Sequence, residues 1–237
     1  MGQTTGMAEP LKVRVGEHEQ VTALHYAAAG ARAGVTVLLG HGAGADQHHP
    51  FMVELAGGLA ARGLDAVTFN FVYTEEQRGT PDRAPRLEAC VRAVLERVRT
   101  HAPLAGNALV IGGKSMGGRI ASMVAAGGDD GAIGLVFVGY PLHPPKQPHK
   151  LRIAHLPAIG RPMLFVQGER DAFGTPAELA PILDGLRPRP DVHVIPWGDH
   201  SLKVPKKSGR TQAEVHTEVY DTIAAWVQSL LPKRRST

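Results

Sequence analysis

Apolar and polar positions along the chain alternate between short β-type runs and helix-type stripes. Lys12–Val15 and Ala23–Ala28 read as two short strands at the start. Val35–Leu39 is a continuous apolar run, as expected of a strand buried on both faces, and it ends at Gly40. His49–Arg62 then carries Phe51, Leu55, Leu59 and Ala60 at helical spacing and stops at Gly63. Ala66–Val72 reads as the next strand, followed by a polar loop. Leu87, Cys90, Val91, Val94, Leu95 and Val98 predict an amphipathic helix over Arg86–His101. Ala108–Ile111 is a buried strand running straight into Gly112-Gly113, and a helix is expected from Met116 to Ala126.

After the strand Ile133–Val138 the rhythm breaks, because residues 139–161 hold repeated prolines and no acidic residue. It resumes with a strand at Met163–Gln167, a helix at Pro176–Leu186 and a last strand at Val192–Ile195. Gln212–Leu231 closes the chain as a helix with Val215, Val219, Ile223 and Trp226 on one stripe. Strand and helix in alternation predict an α/β fold, a mostly parallel sheet with helices on both faces. The first two strands have no helix between them and should form an antiparallel hairpin at one edge. At 237 residues the chain fits a single domain, 1–237, with flexible ends at 1–10 and 232–237.

Composition narrows the function. The hydrophobic fraction of 43% supports a sizeable core. The net charge of +4 and isoelectric point of about 9.4 would permit nucleic-acid binding. However, the basic residues are spread along the chain and aromatics make up only 5%, too few for a stacking surface. Nucleic acid is therefore not expected as a partner. Cys90 is the single cysteine, so no intramolecular disulfide is possible, and its place in the apolar stripe marks a small buried hydrophobe. No apolar run reaches membrane-spanning length, so no membrane association is expected. The first ten residues lack the basic and apolar regions of a signal peptide, and Gly6 stands where a myristoylation motif wants Ser or Thr. The expected location is cytoplasmic.

The chemistry concentrates at Gly113-Lys114-Ser115-Met116-Gly117. A buried strand feeds this string and a helix leaves it, the context that gives G-x-S-x-G its meaning. So tight a turn leaves no room for side chains two residues before and after the serine, and it pushes Ser115 out above the sheet edge as a nucleophile. The helix start adds backbone N–H groups and the positive end of a dipole. A phosphate-binding loop is the rival for Gly-Lys-Ser. It requires a glycine where Ala108 stands and a flexible loop where Leu109-Val110-Ile111 reads as strand, so it fails.

A serine hydroxyl needs an adjacent base. Among 12 histidines, His200 is the one in the loop between the last strand and the last helix. His193 lies in a strand pattern and His216 in a helix, while His143, His149 and His155 lie in the proline-rich segment. The imidazole needs a carboxylate to fix its tautomer. Asp171 follows the strand Met163–Gln167 and completes the chain order Ser…Asp…His, with Glu169 as the fallback and Asp199 discounted as the immediate neighbour of His200. The small-residue loop Gly40-His41-Gly42-Ala43-Gly44 lets backbone approach a substrate, so the oxyanion hole is assigned to the N–H groups of Ala43 and Met116. His41, Asp46, His48 and His49 offer a competing metal reading, but no second ligand cluster supports it. Neither metal nor cofactor is expected.

Taken together, Gly-His-Gly-Ala-Gly (40–44), Gly-Lys-Ser-Met-Gly-Gly-Arg (113–119) and Gly-Asp-His-Ser-Leu (198–202) resemble the α/β-hydrolase superfamily. The resemblance runs from Val13 to Leu231 and is nearest to the small dienelactone-hydrolase-like branch. That branch is itself similar to hydrolase-like subunits of chromatin acetyltransferase complexes. It implies an esterase-type Ser115–His200–Asp171 site. Dienelactone hydrolases use cysteine where this chain has Ser115, so their substrate does not carry over. Some chromatin-associated relatives serve as scaffolds, which leaves a non-catalytic interaction module as the alternative to a serine hydrolase.

The segment 143–161 is too short and proline-rich for a helical lid, which predicts an open cleft suited to small or exposed ester-type substrates. Thioesters and peptides use the same machinery. Lys146, Lys150, Arg152 and Arg161, with Lys203, Lys206, Lys207 and Arg210, should flank the mouth and draw anionic substrates. Lys114 is expected in a structural pair under the sheet edge rather than as a base.

Overall fold

Eight strands and six helices alternate through the computed structural model, which describes residues 8–128 and 130–232. β1 (Glu9–Val15) and β2 (Glu19–Tyr26) form the expected antiparallel hairpin. The remaining strands are β3 (Val35–Gly40), β4 (Asp65–Phe69), β5 (Ala108–Lys114), β6 (Ala132–Val138), β7 (Met163–Gly168) and β8 (Asp191–Ile195). The sheet order is β1-β2-β4-β3-β5-β6-β7-β8. β2 runs antiparallel to both neighbours, and every pairing from β4 to β8 is parallel.

The helices are α1 (Pro50–Ala60), α2 (Val72–Glu75), α3 (Ala84–Thr100), α4 (Met116–Ala126), α5 (Pro176–Leu183) and α6 (Gln212–Ser229). Successive strand residues face opposite sides, so each central strand feeds two cores. Leu38, Val67, Ile111 and Phe137 point to the layer that holds α3, α4 and α5. Val37, Leu39, Val110 and Val136 point to the layer of α1 and α6. Each fully buried side chain of this kind contributes about 1.5–3 kcal/mol. Both α5 and α6 start with a reciprocal capping box, Thr175 with Glu178 and Thr211 with Glu214. None of the described helices is long and apolar enough to cross a membrane.

Several boundaries differ from the sequence reading; β2, expected over Ala23–Ala28, runs from Glu19 to Tyr26. β1 starts at Glu9, so Glu9 and Pro10 belong to the sheet rather than to a flexible end, while residues 1–7 and 233–237 of the expected ends lie outside the described residues. The strand expected over Ala66–Val72 stops at Phe69. Phe71, Val72 and Tyr73 are buried, as a strand would bury them, but they do so in the first turn of α2. α5 ends at Leu183, not Leu186, and Gly185 and Leu186 continue only with tighter bonds to Ile182 and Leu183 carbonyls. Cys90 is buried in α3, and burial pushes its thiol up to about 12, which leaves it an inert packing group.

Candidate active site

The turn between β5 and α4 is built by contact with β3. A Cβ on Gly113 or on Gly117 would lie 2.1 Å from the Gly40 carbonyl oxygen, so both positions exclude any side chain. Gly113 also sits at φ +143°, which L-residues rarely adopt. Between them Ser115 takes φ 49°, ψ −114°, a strained conformation for a residue with a side chain. Its N–H donates to the Val138 carbonyl at 3.0 Å, pinning the turn to the end of β6. The strain holds the hydroxyl clear of the helix, above the carboxyl ends of the parallel strands.

The loop after β8 brings His200 to this hydroxyl. His200 Nε2 lies 2.9 Å from Ser115 Oγ, and Nδ1 lies 2.8 Å and 3.0 Å from the two Asp171 oxygens. With Asp171 accepting, the network assigns the ring proton to Nδ1, which leaves Nε2 to accept from the serine. Trp197 and Leu202 bracket His200 and both hold positive φ, so the loop is fixed in an uncommon shape. The fallback Glu169 is occupied elsewhere, accepting the Trp197 N–H at 2.7 Å. Asp199 turns away to accept the Ser201 and Lys203 N–H groups.

Three further residues hold the arrangement, and the sequence did not reveal the roles of two of them, Gln167 and Phe173. Gln167, wholly buried at the end of β7, donates to Asp171 Oδ2 at 2.9 Å and to the Gly174 carbonyl at 2.7 Å. The Phe173 N–H donates to Asp171 Oδ1 at 2.8 Å, while its ring stacks on His200 with centroids 4.1 Å apart. Lys114 Nζ donates to the His200 carbonyl at 2.6 Å, a structural pairing as expected, though to backbone rather than to an acid. Burial pushes the Lys114 ammonium down to about 8, against the opposing pull of Asp171 and Asp199. A polar residue inside the β7 run and an aromatic two residues after the acid were the available signals for Gln167 and Phe173.

On the other side of Ser115 lies the glycine-rich loop after β3. His41 is fully buried; its Nδ1 pairs with the Gly42 carbonyl at 2.9 Å, and its Nε2 accepts the Phe71 N–H at 3.3 Å. Burial lowers its pKa, so the ring serves as a neutral brace for the loop. Neither the Ala43 nor the Met116 N–H has an acceptor among the described residues, and both residues line the cleft at Ser115. The metal reading of this loop finds no convergence. Asp46 accepts the His48 N–H, and His49 accepts the Phe51 N–H at the start of α1. Among the described residues, side chains able to hold a metal gather elsewhere, at Glu9, His25 and His101.

The cleft itself measures about 690 Å³. The segment 143–161 borders it without covering it, its only helical piece being one 3₁₀ turn at Leu156–Ala158. Of the eight basic residues expected at the mouth, only Arg152 and Lys203 line it. Arg161 instead pairs with Asp130, Arg210 pairs with Glu218, and Lys207 lies over the Trp197 ring. Arg119, one helical turn beyond Ser115, joins Arg152 and Lys203 on the wall. The other histidines are engaged: His193 with Glu218, His216 with Glu54, His143 with Glu178 and His155 with Ser122. His149 is exposed and makes no cleft contact.

Comparison with known proteins agrees with this fold. A family described as an alpha/beta hydrolase domain matches residues 33–228. Among solved structures, a serine hydrolase without a lid from Xanthomonas campestris superposes with a TM-score of 0.75 at 19% identity, covering 95% of this chain and 96% of that one. A dienelactone hydrolase from Anabaena variabilis gives 0.74 at 18% identity over 96% and 100% of the two chains. A serine hydrolase homologue from Coxiella burnetii gives 0.74 at 18% over 94% and 99%. At these identities the likeness is one of fold, a lidless α/β-hydrolase architecture end to end.

Proposed function

The chain belongs to the alpha/beta hydrolase domain family, and from that premise we propose that it is a serine hydrolase that cleaves small ester-type substrates through an acyl-enzyme. The observation that carries this reading is the unbroken chain from Ser115 Oγ through both His200 nitrogens to Asp171, at 2.9 Å and 2.8 Å. Ser115 Oγ attacks the acyl carbonyl while His200 Nε2 takes its proton. The Ala43 and Met116 N–H groups hold the resulting oxyanion, and Asp171 stabilises the imidazolium. As the tetrahedral species collapses, His200 returns the proton to the leaving alcohol. A water then attacks the acyl-serine by the same route in reverse roles, releasing acid and free Ser115.

A non-catalytic interaction module would be expected to have a blocked or misaligned site, so the open cleft favours turnover. The guanidinium of Arg119, which reaches Met123 Sδ at 3.5 Å, together with Arg152 and Lys203, favours an ester that carries a negative charge, against the two carboxylates Glu54 and Asp82 in the same lining. The test is pre-steady-state hydrolysis of a p-nitrophenyl ester. The reading predicts a burst of about one nitrophenolate per chain, absent in Ser115→Ala. A wild-type trace without burst or turnover would leave the interaction module as the better account.

A further inference from the structure

Far from the catalytic cleft, the inward face of the β1–β2 hairpin carries a polar group where its pattern calls for apolar ones. Leu11, Val13 and Val15 of β1 are buried on this face, as are Val21 and Ala23 of β2. Glu9 and His25 continue the two stripes and sit directly opposite each other in the ladder. His101, at the end of α3, closes the group from above. Glu9 Oε2 lies 3.9 Å from His25 Nδ1, and Glu9 Oε1 lies 3.9 Å from His101 Nε2. All three ligand atoms fall within 4.8 Å of one another.

The two facing nitrogens are buried and have no hydrogen-bond partner among the described residues. His25 is 2% exposed, so its Nδ1 has no access to bulk water. Its other nitrogen, Nε2, lies 2.9 Å from Asp65, which is itself held by the Ala28 N–H and by Arg32 and Asn107. That contact puts the ring proton on Nε2 and turns the bare Nδ1 lone pair toward the Glu9 carboxylate. Two buried nitrogen lone pairs turned toward a carboxylate at the surface leave a cation as the missing element. A carboxylate behind the ligating histidine is the arrangement that fixes tautomer and orientation at metal sites.

We propose that Glu9, His25 and His101 form a divalent transition-metal site of the zinc type, with Asp65 as the group that orients His25. Zinc bound at about 2.0–2.2 Å to nitrogen and oxygen wants its ligands about 3.3 Å apart. The two Glu9 contacts, at 3.9 Å, exceed that, and Glu9, 56% exposed along its side chain, is free to close them, while the His25 and His101 nitrogens, within 4.8 Å of each other, draw together by small ring rotations. It also leaves an entry path from solvent. The ion would join the edge strand β1 to the end of α3, a fastening role independent of hydrolysis.

The test uses the full chain stripped with chelator and titrated with zinc chloride by calorimetry, with thermal unfolding alongside. One zinc per chain is expected, with Tm rising by about 5–10 °C when free zinc is roughly a hundred times Kd. Glu9→Gln should weaken binding by at least ten-fold, and Asp65→Asn by roughly ten- to a hundred-fold. Labelling of wild-type protein by a fluorophosphonate should proceed equally with and without chelator. No stoichiometric binding, or binding undiminished in Glu9→Gln combined with His101→Gln, would overturn the assignment. So would labelling that requires zinc, because it would move the metal to the serine.

Discussion

At the scale of single residues, Asp171 decides which His200 nitrogen carries the proton. Asp171→Asn keeps the shape but offers an amide where an acceptor is needed, so kcat/KM toward esters should fall by roughly 10⁴-fold, and stability by about 1–3 kcal/mol because the amide nitrogen faces the N–H of Phe173 or Gln167. Steady-state kinetics on the folded variant checks this. Lys114 makes a different prediction. Its folded pKa, about 8, lies below the ordinary lysine value of 10.5, so the unfolded chain binds more protons between these values. Stability should therefore rise with pH from about 8 toward 10.5, and Lys114→Met should remove that rise. Urea midpoints at the two ends of the window measure it, and parallel pH curves for wild type and variant would contradict it. Ser115, Asp171 and His200 were legible in the sequence because chain order and loop position are written along it. Gln167 and Phe173 were not, because a hydrogen bond from Gln167 to Asp171 exists only once the chain after β7 has turned back.

At the scale of elements, the catalytic turn depends on how closely α4 and β5 approach β3. Gly117→Ala would place a methyl 2.1 Å from the Gly40 carbonyl, a backbone atom that cannot swing aside. The expected cost is about 1–3 kcal/mol in urea unfolding. Gly79→Ala meets nothing within 4 Å and should stay within about 0.5 kcal/mol of wild type. Equal effects at the two sites would refute the packing account. The alternation of strand and helix was readable because buried parallel strands are apolar throughout, as at Val35–Leu39. The start of α2 was misread because Phe71, Val72 and Tyr73 are apolar and buried in either conformation, and periodicity alone cannot separate a strand end from a single helical turn. The Glu9–His25–His101 group was invisible for a related reason, since three distant positions meet only through the register of the hairpin and the end of α3.

At the scale of the whole molecule, the lidless sheet leaves Ser115 at the floor of an open cleft, with Arg119, Arg152 and Lys203 on its wall. Three of the eight basic residues in the two loops, Arg161, Arg210 and Lys207, are held elsewhere, by Asp130, Glu218 and the Trp197 ring. Charge composition did not reveal which charged residues line the cleft, where Glu54 and Asp82 stand beside the basic ones. The proposed pull of Arg119, Arg152 and Lys203 on an anionic ester predicts that kcat/KM for a carboxylate-bearing ester falls up to ten-fold from low to physiological ionic strength, while a matched neutral ester stays flat. Equal salt dependence for the two esters would remove the charge argument. The central claim, that Ser115 is an activated nucleophile, is tested most directly by reaction with a fluorophosphonate followed by mass spectrometry of the intact chain and its peptides. The account predicts one adduct per chain, located on Ser115 and lost in both Ser115→Ala and His200→Ala. A folded wild-type protein that takes up no adduct, or takes it up on another residue, would contradict it.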